Sequence, residues 1–534
     1  MGGPLLVMLL LMLAVAPAAA QAPTPAAPAP PATGPLGRRW SEAAAGSEVE
    51  RYLRLAELAG ALAGTPWSLR PLGPAEGAWQ GPAGAHPWSA AFRAAPRRGW
   101  WVVRPDAGVV FNSGFPVSQM DGPLWSGRGA SVTLSAGMAA RLGPLTVQLA
   151  PQLWYTQNRP FALLPSGSGS DTFADFASGG IDLPQRLAEG PLGRLDPGES
   201  YIRLDGLGVS AGVSSAAEWW GPGIASGVMF SNNAGGMPRA FAGTSRPLSV
   251  GIGTVHGRVV VGQLRRSARF DVNASPVTSQ LLTGVIGAFR PRGLPGVELG
   301  ATRLFHANWP AGGVRLRDLQ LLWSSVAPNV IASGFTPGNQ LASVFARWGQ
   351  AGGGLELYVE FARDDHNSFN NLDLITQPEH DAALVLGFQR RLGAQDAPVW
   401  WAVRGETTNG RMTHLHRVRR QVLLYSHGEQ TAGHTLRGQL LGSPYVRGGS
   451  GAELAVDRYD ARGRLGVRWW RQGLAVSAEG GLGYGAVHAL EGSMLRFTAV
   501  GDLTVRMAGM LRVGALPQHD AGNVQLSLGW RPGR

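Results

Sequence analysis

Short stretches in which apolar and polar residues alternate recur along this chain from about Trp100 to its end. The clearest runs from Leu355 to Phe361, where every second residue is apolar and the residues between are mostly charged. Successive side chains of a β-strand point to opposite faces, so this period predicts strands with one apolar and one polar face. Segments of this kind, about ten residues long, are typical of transmembrane β-barrel strands, which are apolar towards lipid and polar towards the lumen.

The same alternation returns in residues 132–138, 399–403, 464–469 and 524–530. A soluble β-sandwich or propeller would alternate too, but its second face would rarely carry so many Trp and Leu side chains. Beyond the leader, no segment offers 18 consecutive apolar residues, so no helical membrane span is predicted. At about 24 residues per strand and loop, residues 99–534 have room for about 18 antiparallel strands, an all-β transmembrane barrel.

The N-terminal residues precede this pattern and differ from it. Residues 5–15 are an apolar run too short to span a membrane, and Ala18-Ala19-Ala20 is a small-residue cleavage pattern. Residues 1–20 are therefore predicted to be a secretory signal peptide. Residues 21–40 are rich in Pro and Ala and are predicted to be an extended linker.

Residues 41–98 are predicted to form a small N-terminal α-helical module on the periplasmic side. Ser47 and Glu50 have the spacing of a capping box, and apolar residues follow at helical spacing as far as Leu62. Gly64 and Pro66 are predicted to end this helix.

Composition narrows the classes of partner and site. The chain has no cysteine, which excludes a disulfide framework and any thiolate metal or redox site. The formal net charge is +12, and all 47 basic residues are arginine. For an exported protein, acidic polysaccharide or lipopolysaccharide phosphate is a more plausible anionic partner than nucleic acid. Arginine suits either through bidentate contacts with carboxylate or phosphate.

Three segments carry motifs rather than simple alternation. The first is Glu218-Trp219-Trp220-Gly221-Pro222-Gly223, followed by Ser231-Asn232-Asn233-Ala234 and Met237-Pro238. The second is Tyr425-Ser426-His427-Gly428, followed by Gly433-His434-Thr435-Leu436-Arg437-Gly438. The third, N-terminal to both, is Arg54-Leu55-Ala56-Glu57-Leu58-Ala59-Gly60, followed by Pro66-Trp67. Taken in their order along the chain, these three segments resemble the capsule-assembly Wzi family, and the resemblance covers most of the mature chain.

The resemblance implies an outer-membrane β-barrel, exposed at the surface of a Gram-negative bacterium, that binds capsular polysaccharide as a lectin does. It also implies that the N-terminal helical module closes the periplasmic mouth. It does not say which residues touch sugar, and it implies no catalysis and no cofactor.

Trp219 and Trp220 have two interpretations. Barrel tryptophans commonly belong to the aromatic belt at the membrane interface, which is the commoner fate. Alternatively, an indole is a platform for the apolar face of a sugar ring, and the nearby Asn232 and Asn233 offer donors and acceptors to hydroxyl groups. Further polysaccharide-binding candidates are chosen by residue type and position: Arg239, Asp364, Asp365, His366, His427 and Arg437.

Other motifs indicate chemistry only weakly. Residues 208–212 match the G-x-S-x-G pattern, but Ser210 lacks the strand–turn–helix context of a nucleophile elbow. His414 and His416 lack a third metal ligand and lie among arginines, so a solvated basic loop is favoured. Asp364, Asp365 and Asn367 match no calcium loop, and the glycines of residues 481–485 are predicted to lie in a strand. We therefore expect no catalytic residue and no metal.

Loops longer than the strands require are the expected extracellular elements: residues 161–200, 363–381 and 412–451. The last predicted strand ends on Trp530, which resembles the C-terminal signal read by the barrel-insertion machinery, although four residues follow it. Expected partners are thus capsular or exopolysaccharide, outer-membrane lipid and lipopolysaccharide, and that machinery, with no nucleic acid.

The leading hypothesis is an outer-membrane, lectin-like protein that anchors capsular or exopolysaccharide at the cell surface. A diffusion porin with an arginine-rich lumen is the alternative, although an N-terminal plug argues against an open pore. A barrel enzyme acting on lipids or glycans would need a nucleophile and base that these residues do not assemble.

Overall fold

The computed structural model describes residues 43–62, 64–71, 84–91, 98–166, 172–177, 180–270, 279–315, 318, 338–364, 376–413, 423–428, 430–478, 481–514 and 517–533. The predicted signal peptide and linker lie outside these ranges.

One α-helix, two 3₁₀ helices and 25 strand segments are defined in the described part of the chain. The α-helix is α1 (Glu48–Leu58), and the 3₁₀ helices are Ser89–Ala91 and Pro517–His519. The strands are β1 (Leu69–Arg70), β2 (Gly99–Asn112), β3 (Gly129–Leu142), β4 (Leu145–Leu149), β5 (Gln152–Thr156), β6 (Leu192–Asp196), β7 (Tyr201–Gly206), β8 (Val209–Ser214), β9 (Trp219–Trp220), β10 (Arg239–Thr244), β11 (Leu248–Ser249), β12 (Gly253–Arg265) and β13 (Ser279–Pro291). They continue with β14 (Val297–Asn308), β15 (Asn339–Gly349), β16 (Leu355–Asp364), β17 (Ala382–Leu392), β18 (Val399–Asn409), β19 (Thr435–Leu436), β20 (Gln439–Leu440), β21 (Ser450–Asp460), β22 (Gly463–Ala478), β23 (Gly481–Phe497), β24 (Gly501–Val513) and β25 (Ala521–Pro532).

The strands form one closed antiparallel barrel, as the alternation predicts. It closes because β2 pairs with β3 on one side and with β25 on the other. Strands β4 and β5 both pair with β3, so together they form one interrupted strand. Strand β6 pairs with β5 and strand β7 pairs with β4, so β6 and β7 form a second interrupted strand. With β11 as a short extension beside β12, the described residues form 18 strands. Strand β6 lies within the stretch predicted to be loop 161–200, which corrects that prediction.

The two ends of the barrel differ in their connections. One end has tight turns, such as residues 143–144, 207–208 and 461–462, whereas the other has long connections such as residues 157–191 and 410–449. Bacterial barrels place short turns in the periplasm and long loops outside the cell. We therefore call these the short-turn end and the long-loop end.

Each strand divides its side chains between lipid and lumen. On β16, Glu356 and Glu360 are fully buried in the lumen, and Leu355 and Val359 on the opposite face are only partly covered. Outward-facing side chains on other strands, such as Leu490 and Met507, are well exposed. An exposed apolar band with a buried polar interior is the inverse of a soluble protein and is what a lipid environment requires. None of the described helices is long and apolar enough to cross a membrane.

Helix α1 is short, and all of its residues except Glu48 and Arg51 are buried. Ser47 caps it, and its hydroxyl accepts from the Glu50 amide at 3.3 Å, as predicted. The helix ends at Leu58, earlier than predicted, because Gly60 adopts a left-handed conformation with φ +78°. The prediction of a single apolar face is also incomplete, since Arg54 and Glu57 are buried as well. The helix lies inside the barrel, where its charged side chains meet charges on the wall.

The lumen wall beside α1 carries a ladder of paired charges. Arg404 pairs with Glu453 at 3.2 Å and also with Asp457. Arg464 lies 2.6 Å from Asp457 and reaches Glu48 on α1 at 2.8 Å. Buried charges are tolerated when each has a partner, so this ladder fixes the helix against the wall.

Candidate functional site

Two segments from the long-loop end fold back into the lumen: residues 215–238 and residues 423–449. The first reaches the N-terminal module, because β9 pairs with β1 through Trp219 opposite Arg70 and Trp220 opposite Leu69. The second packs on the first, since the Ser231 amide donates to the Leu441 carbonyl at 2.8 Å. The Wzi-like motifs of the sequence thus meet each other inside the barrel.

Glu406, on β18, holds the turn of the first inserted segment that directly follows Gly221-Pro222-Gly223. Its carboxylate accepts from three consecutive backbone amides, Ile224 at 2.7 Å, Ala225 at 3.0 Å and Ser226 at 3.2 Å. The Tyr358 hydroxyl donates to the same carboxylate at 2.7 Å. Four donors satisfy a fully buried anion, and they fix the position of this turn on the wall.

Trp219 and Trp220 are buried within this packed interior. Their exposed fractions are 1% and 0%. The guanidinium of Arg70 lies 4.5 Å from the centre of the Trp219 ring, and the Trp220 indole donates to Glu218 at 2.9 Å. Neither indole presents an open face to a sugar in this structure, nor does either lie at the lipid interface. Their role as sugar contacts stays a prediction.

The neighbouring candidates also make structural contacts. The side-chain amide of Asn233 donates to the Leu440 carbonyl at 3.0 Å, and that of Asn232 donates to the Met120 carbonyl at 3.4 Å. Arg239 pairs with Glu218 at 2.5 Å and is buried. Of these residues, only Asn233 borders the surface cleft described below.

The remaining candidates are not gathered at one place. Asp364 is buried and accepts from the Tyr425 amide at 2.6 Å. His427 is partly exposed, and its Nδ1 atom accepts from the Gln430 amide at 3.2 Å. Arg437 is partly exposed and pairs with Asp196 at 3.3 Å. Asp365, His366, Asn367, His414 and His416 lie outside the described residues.

A cleft at the long-loop end is lined by residues from several loops and wall strands. It encloses about 1130 Å³ including its open mouth. We call it the outer cleft. It lies between the β2–β3 loop, the β5–β6 loop, the second inserted segment and the wall strands β22–β24. Its principal lining residues are Phe115, Gln119, Phe161, Leu164, Asp175, Phe176, Gln185, Arg447, Gln472 and Arg512.

The apolar side of the outer cleft is aromatic. Phe115 and Leu164 are buried in a cluster with Trp470, and Phe161 and Phe176 pack against that cluster while remaining partly exposed. The guanidinium of Arg512 lies 4.8 Å from the centre of the Phe115 ring. Aromatic faces of this kind supply large apolar contact area with defined geometry.

The polar side of the outer cleft is a chain of carboxamides. The Gln119 amide donates to the Gln472 oxygen at 2.6 Å, and the Tyr445 hydroxyl donates to the Gln119 oxygen at 3.2 Å. The Gln472 amide donates in turn to the Pro444 carbonyl at 3.0 Å. Both glutamines are partly exposed, and each keeps one donor and one acceptor site unused by these bonds. Groups held in this way are preorganised to hydrogen-bond a polar ligand.

Charged groups fix the loops that form the cleft. Arg447 donates to Asp175 and, at 3.0 Å, to the Ser426 hydroxyl. Beyond the cleft, Asp182 accepts from the Ser267 amide at 2.6 Å, which ties the β5–β6 loop to the end of β12. Burial raises the pKa of Asp182 to about 6, and the bonds from Ser267 oppose that shift.

The structure also places the residues considered for chemistry. Ser210 lies within strand β8, buried and opposite Asp205 and Gly243, so residues 208–212 form no nucleophile elbow. Residues 481–485 belong to strand β23, as predicted. The described residues contain no group of three His, Asp or Glu side chains that could hold a metal ion.

Comparison with solved structures finds several similar chains. The Escherichia coli outer-membrane protein Wzi, described as a carbohydrate-binding β-barrel involved in group 1 capsule assembly, is 12% identical with a TM-score of 0.60, over 92% of this chain and 99% of that one. Acinetobacter baumannii OccAB3 is 12% identical with a TM-score of 0.39, over 80% of this chain and 98% of that one. A BenF-like porin from Pseudomonas fluorescens Pf-5 is 11% identical with a TM-score of 0.39, over 82% and 99%. Comparison with curated protein sequences finds no match.

The fold and the site define an outer-membrane β-barrel whose own loops fold into its lumen and frame a cleft at its long-loop end. The family model described as capsule assembly protein Wzi matches residues 121–468, more than half of the 534 residues. The chain belongs to this family, so its general function lies in capsule assembly at the outer membrane.

Sequence reasoning missed the outer cleft. Gln119, Gln472 and Arg512 come from three segments far apart in the chain and from no motif. Two of the three long loops identified from the sequence do contribute residues to it, Phe161 and Asp175 from one and Arg447 from another. Loop length was therefore the available signal, although it does not specify which side chains converge.

Proposed function

We propose that this protein binds and anchors capsular or exopolysaccharide at the cell surface, and that the outer cleft holds the sugar. One observation carries this proposal: at the long-loop end, partly exposed phenylalanines and partly exposed glutamines line the same cleft. A pyranose ring has an apolar face and a hydroxyl rim, and it needs a contact of each kind.

In this arrangement Phe161 and Phe176 stack against the apolar faces of sugar rings. Gln119 and Gln472 hydrogen-bond to hydroxyl groups with the donors and acceptors that their mutual bonds leave unused. Arg512 donates through Nε to the His519 carbonyl at 3.0 Å and through Nη2 to the Ala162 carbonyl at 3.2 Å. The remaining Nη1 is available to a uronate carboxylate, for which a guanidinium is well suited.

The proposed activity is attachment without chemistry. A binding protein needs only a complementary surface held in place, and the outer cleft has one. The carboxylate nearest to it, Asp175, is engaged by Arg447 and by the Ala177 amide at 3.1 Å. It is therefore committed to holding the loop, whereas a catalytic acid or base must reach the substrate.

The test is binding of purified capsular polysaccharide from the source strain to the refolded full-length protein, by calorimetry or on a glycan array. Saturable binding that falls when Phe161 and Gln472 are both changed to Ala supports the proposal. Equal binding by wild type and this double variant would place the sugar elsewhere, and no binding to any extracellular glycan of the strain would remove the lectin function.

A further inference from the structure

The outer surface of the barrel carries a pair of arginines directly opposite each other across two neighbouring strands. Arg128 precedes β3 and Arg159 follows β5, and the two form a β-bridge in which the Arg159 amide donates to the Arg128 carbonyl at 2.9 Å. Cross-strand partners point their side chains to the same face of a sheet. Two cations therefore share one small patch at the long-loop end.

The residues below this pair show that the patch faces lipid. Along the same face, Val132 is opposite Tyr155 and Leu134 is opposite Leu153. All four side chains are between 41% and 52% exposed, in the manner of the lipid-facing band. The order from apolar pair to tyrosine to cation is the order from hydrocarbon to interface to headgroup region. The arginine pair thus lies at the headgroup level of the outer leaflet.

The Arg128 guanidinium is held by hydrogen bonds, whereas Arg159 is held only by packing of its side chain. Arg128 donates to the Ser113 carbonyl at 3.1 Å and to the Pro160 carbonyl at 2.6 Å. The aliphatic part of Arg159 lies over Gly129, where a Cβ atom would come within 3.2 Å of its Cδ atom. Neither arginine has an ion pair with a carboxylate among the described residues. Like charges placed directly opposite each other on a sheet are destabilising unless an anion is bound between them.

We propose that Arg128 and Arg159 bind a phosphate group of the lipopolysaccharide that forms the outer leaflet. The phosphates of its lipid anchor lie at the boundary between acyl chains and sugar, which is the depth of this pair. Arg159 has its full donor fork available, and the fork geometry matches phosphate oxygens. The exposed Leu, Val and Tyr side chains beneath fit acyl chains, which favours a lipid-linked phosphate over a soluble one.

The test uses the refolded full-length protein in detergent, with native mass spectrometry and thermal unfolding as readouts. Deep-rough lipopolysaccharide, which retains its lipid-anchor phosphates, is expected to remain bound and to raise the unfolding temperature. Arg159→Gln is expected to weaken this binding at least about tenfold, because charge-assisted hydrogen bonds are lost. Arg159→Lys is expected to recover only part of it, because the fork is lost while the charge is kept.

The matched control is Arg246→Gln, which removes an equally exposed positive charge at the short-turn end. It should leave the binding unchanged. The proposal would be overturned if Arg159→Gln bound lipopolysaccharide as tightly as the wild type does, or if the Arg246→Gln control lost as much affinity as Arg159→Gln. It would also be overturned if the wild type bound enzymatically dephosphorylated lipopolysaccharide as tightly as the phosphorylated form. Displacement by millimolar inorganic phosphate alone, or equal affinity for phosphatidylglycerol, would overturn the assignment to lipopolysaccharide.

Discussion

The guanidinium of Arg54 on helix α1 lies 2.9 Å, Nε to Oε1, from the carboxylate of Glu356 on barrel strand β16. Both side chains are almost completely buried, and Arg347 on the neighbouring strand donates to the same carboxylate at 2.6 Å. The N-terminal module is thus joined to the barrel wall by a buried ionic contact between residues 302 positions apart.

Replacing Arg54 by Met should loosen the N-terminal module. Removing one partner of a buried ion pair costs about 3–5 kcal/mol when the remaining charge is left uncompensated. Because Arg347 still pairs with Glu356, we expect a cost at or below the lower end of that range. The expected result is faster cleavage of the module by added protease and measurable conductance in planar bilayers, where the wild type stays closed. Arg51→Met is the control, because Arg51 is partly exposed and its ion pair with Glu48 is longer, at 3.8 Å. A closed, protease-resistant Arg54→Met variant would contradict this account of the plug.

Docking of the same module should weaken as pH rises. Burial raises the pKa of Glu57 to about 7, against the opposing effects of Arg347 and Arg290. A carboxyl whose pKa is raised by folding contributes stability that is full below about pH 4.5 and is lost as pH rises through about 7. Protease cleavage of the module should accelerate between pH 5 and 8 in the wild type, and Glu57→Gln should flatten that profile. An identical pH profile in both proteins would refute the prediction.

Glu48 on the same helix should have the opposite pH dependence. Although burial raises its pKa, the charge of Arg464 and other arginines outweighs burial and lowers the pKa to about 2. Its contribution is therefore present above about pH 4.5 and is lost as pH falls towards 2. Cleavage of the module should therefore also accelerate at low pH in the wild type. This low-pH acceleration should be smaller in Glu48→Gln and unchanged in Glu57→Gln. The same low-pH acceleration in Glu48→Gln as in the wild type would contradict the contribution of the Glu48–Arg464 ion pair.

Single changes in the outer cleft should reduce glycan affinity without unfolding the barrel. Phe161→Ala and Gln472→Ala are each expected to weaken binding about tenfold, or ~1.4 kcal/mol. Phe270→Ala and Gln340→Ala are matched controls, because both residues are partly exposed at the long-loop end and outside the cleft. Isothermal titration measures all four, and an equal loss in a control and its cleft counterpart would count against the cleft.

Trp219 should act through stability. Removing a buried tryptophan costs about 3–5 kcal/mol, so Trp219→Ala should unfold at lower urea concentration. Trp219→Phe should fold and retain most of its glycan affinity if the indole is structural. A well-folded Trp219→Phe variant without glycan binding would instead support the sugar-platform interpretation.

The barrel could be predicted from the sequence because its signal is local. Alternation such as that of Leu355 to Phe361 follows from one strand having one lipid face and one lumen face, with no need to know its neighbours. Helix α1 was likewise signalled by Ser47 and Glu50. Its end was misjudged because Gly60, not Gly64, takes the left-handed conformation.

The site could not be predicted in the same way. Trp219 and Asn233 stand in a recognisable motif, yet the pairing of β9 with β1 carries Trp219 into the interior. Gln119 and Gln472 meet through a bond between residues 353 positions apart. Such convergence depends on strand order and loop insertion, which no local pattern specifies.

The proposed role of the outer cleft is to attach polysaccharide to the cell. It is tested most directly by measuring cell-bound and released polysaccharide in a deletion strain that carries either the wild-type gene or the Phe161→Ala/Gln472→Ala form, at matched levels of barrel in the outer membrane. We expect total polysaccharide to be equal, with the cleft variant releasing into the medium what the wild type retains. Equal retention by both strains would contradict the claim.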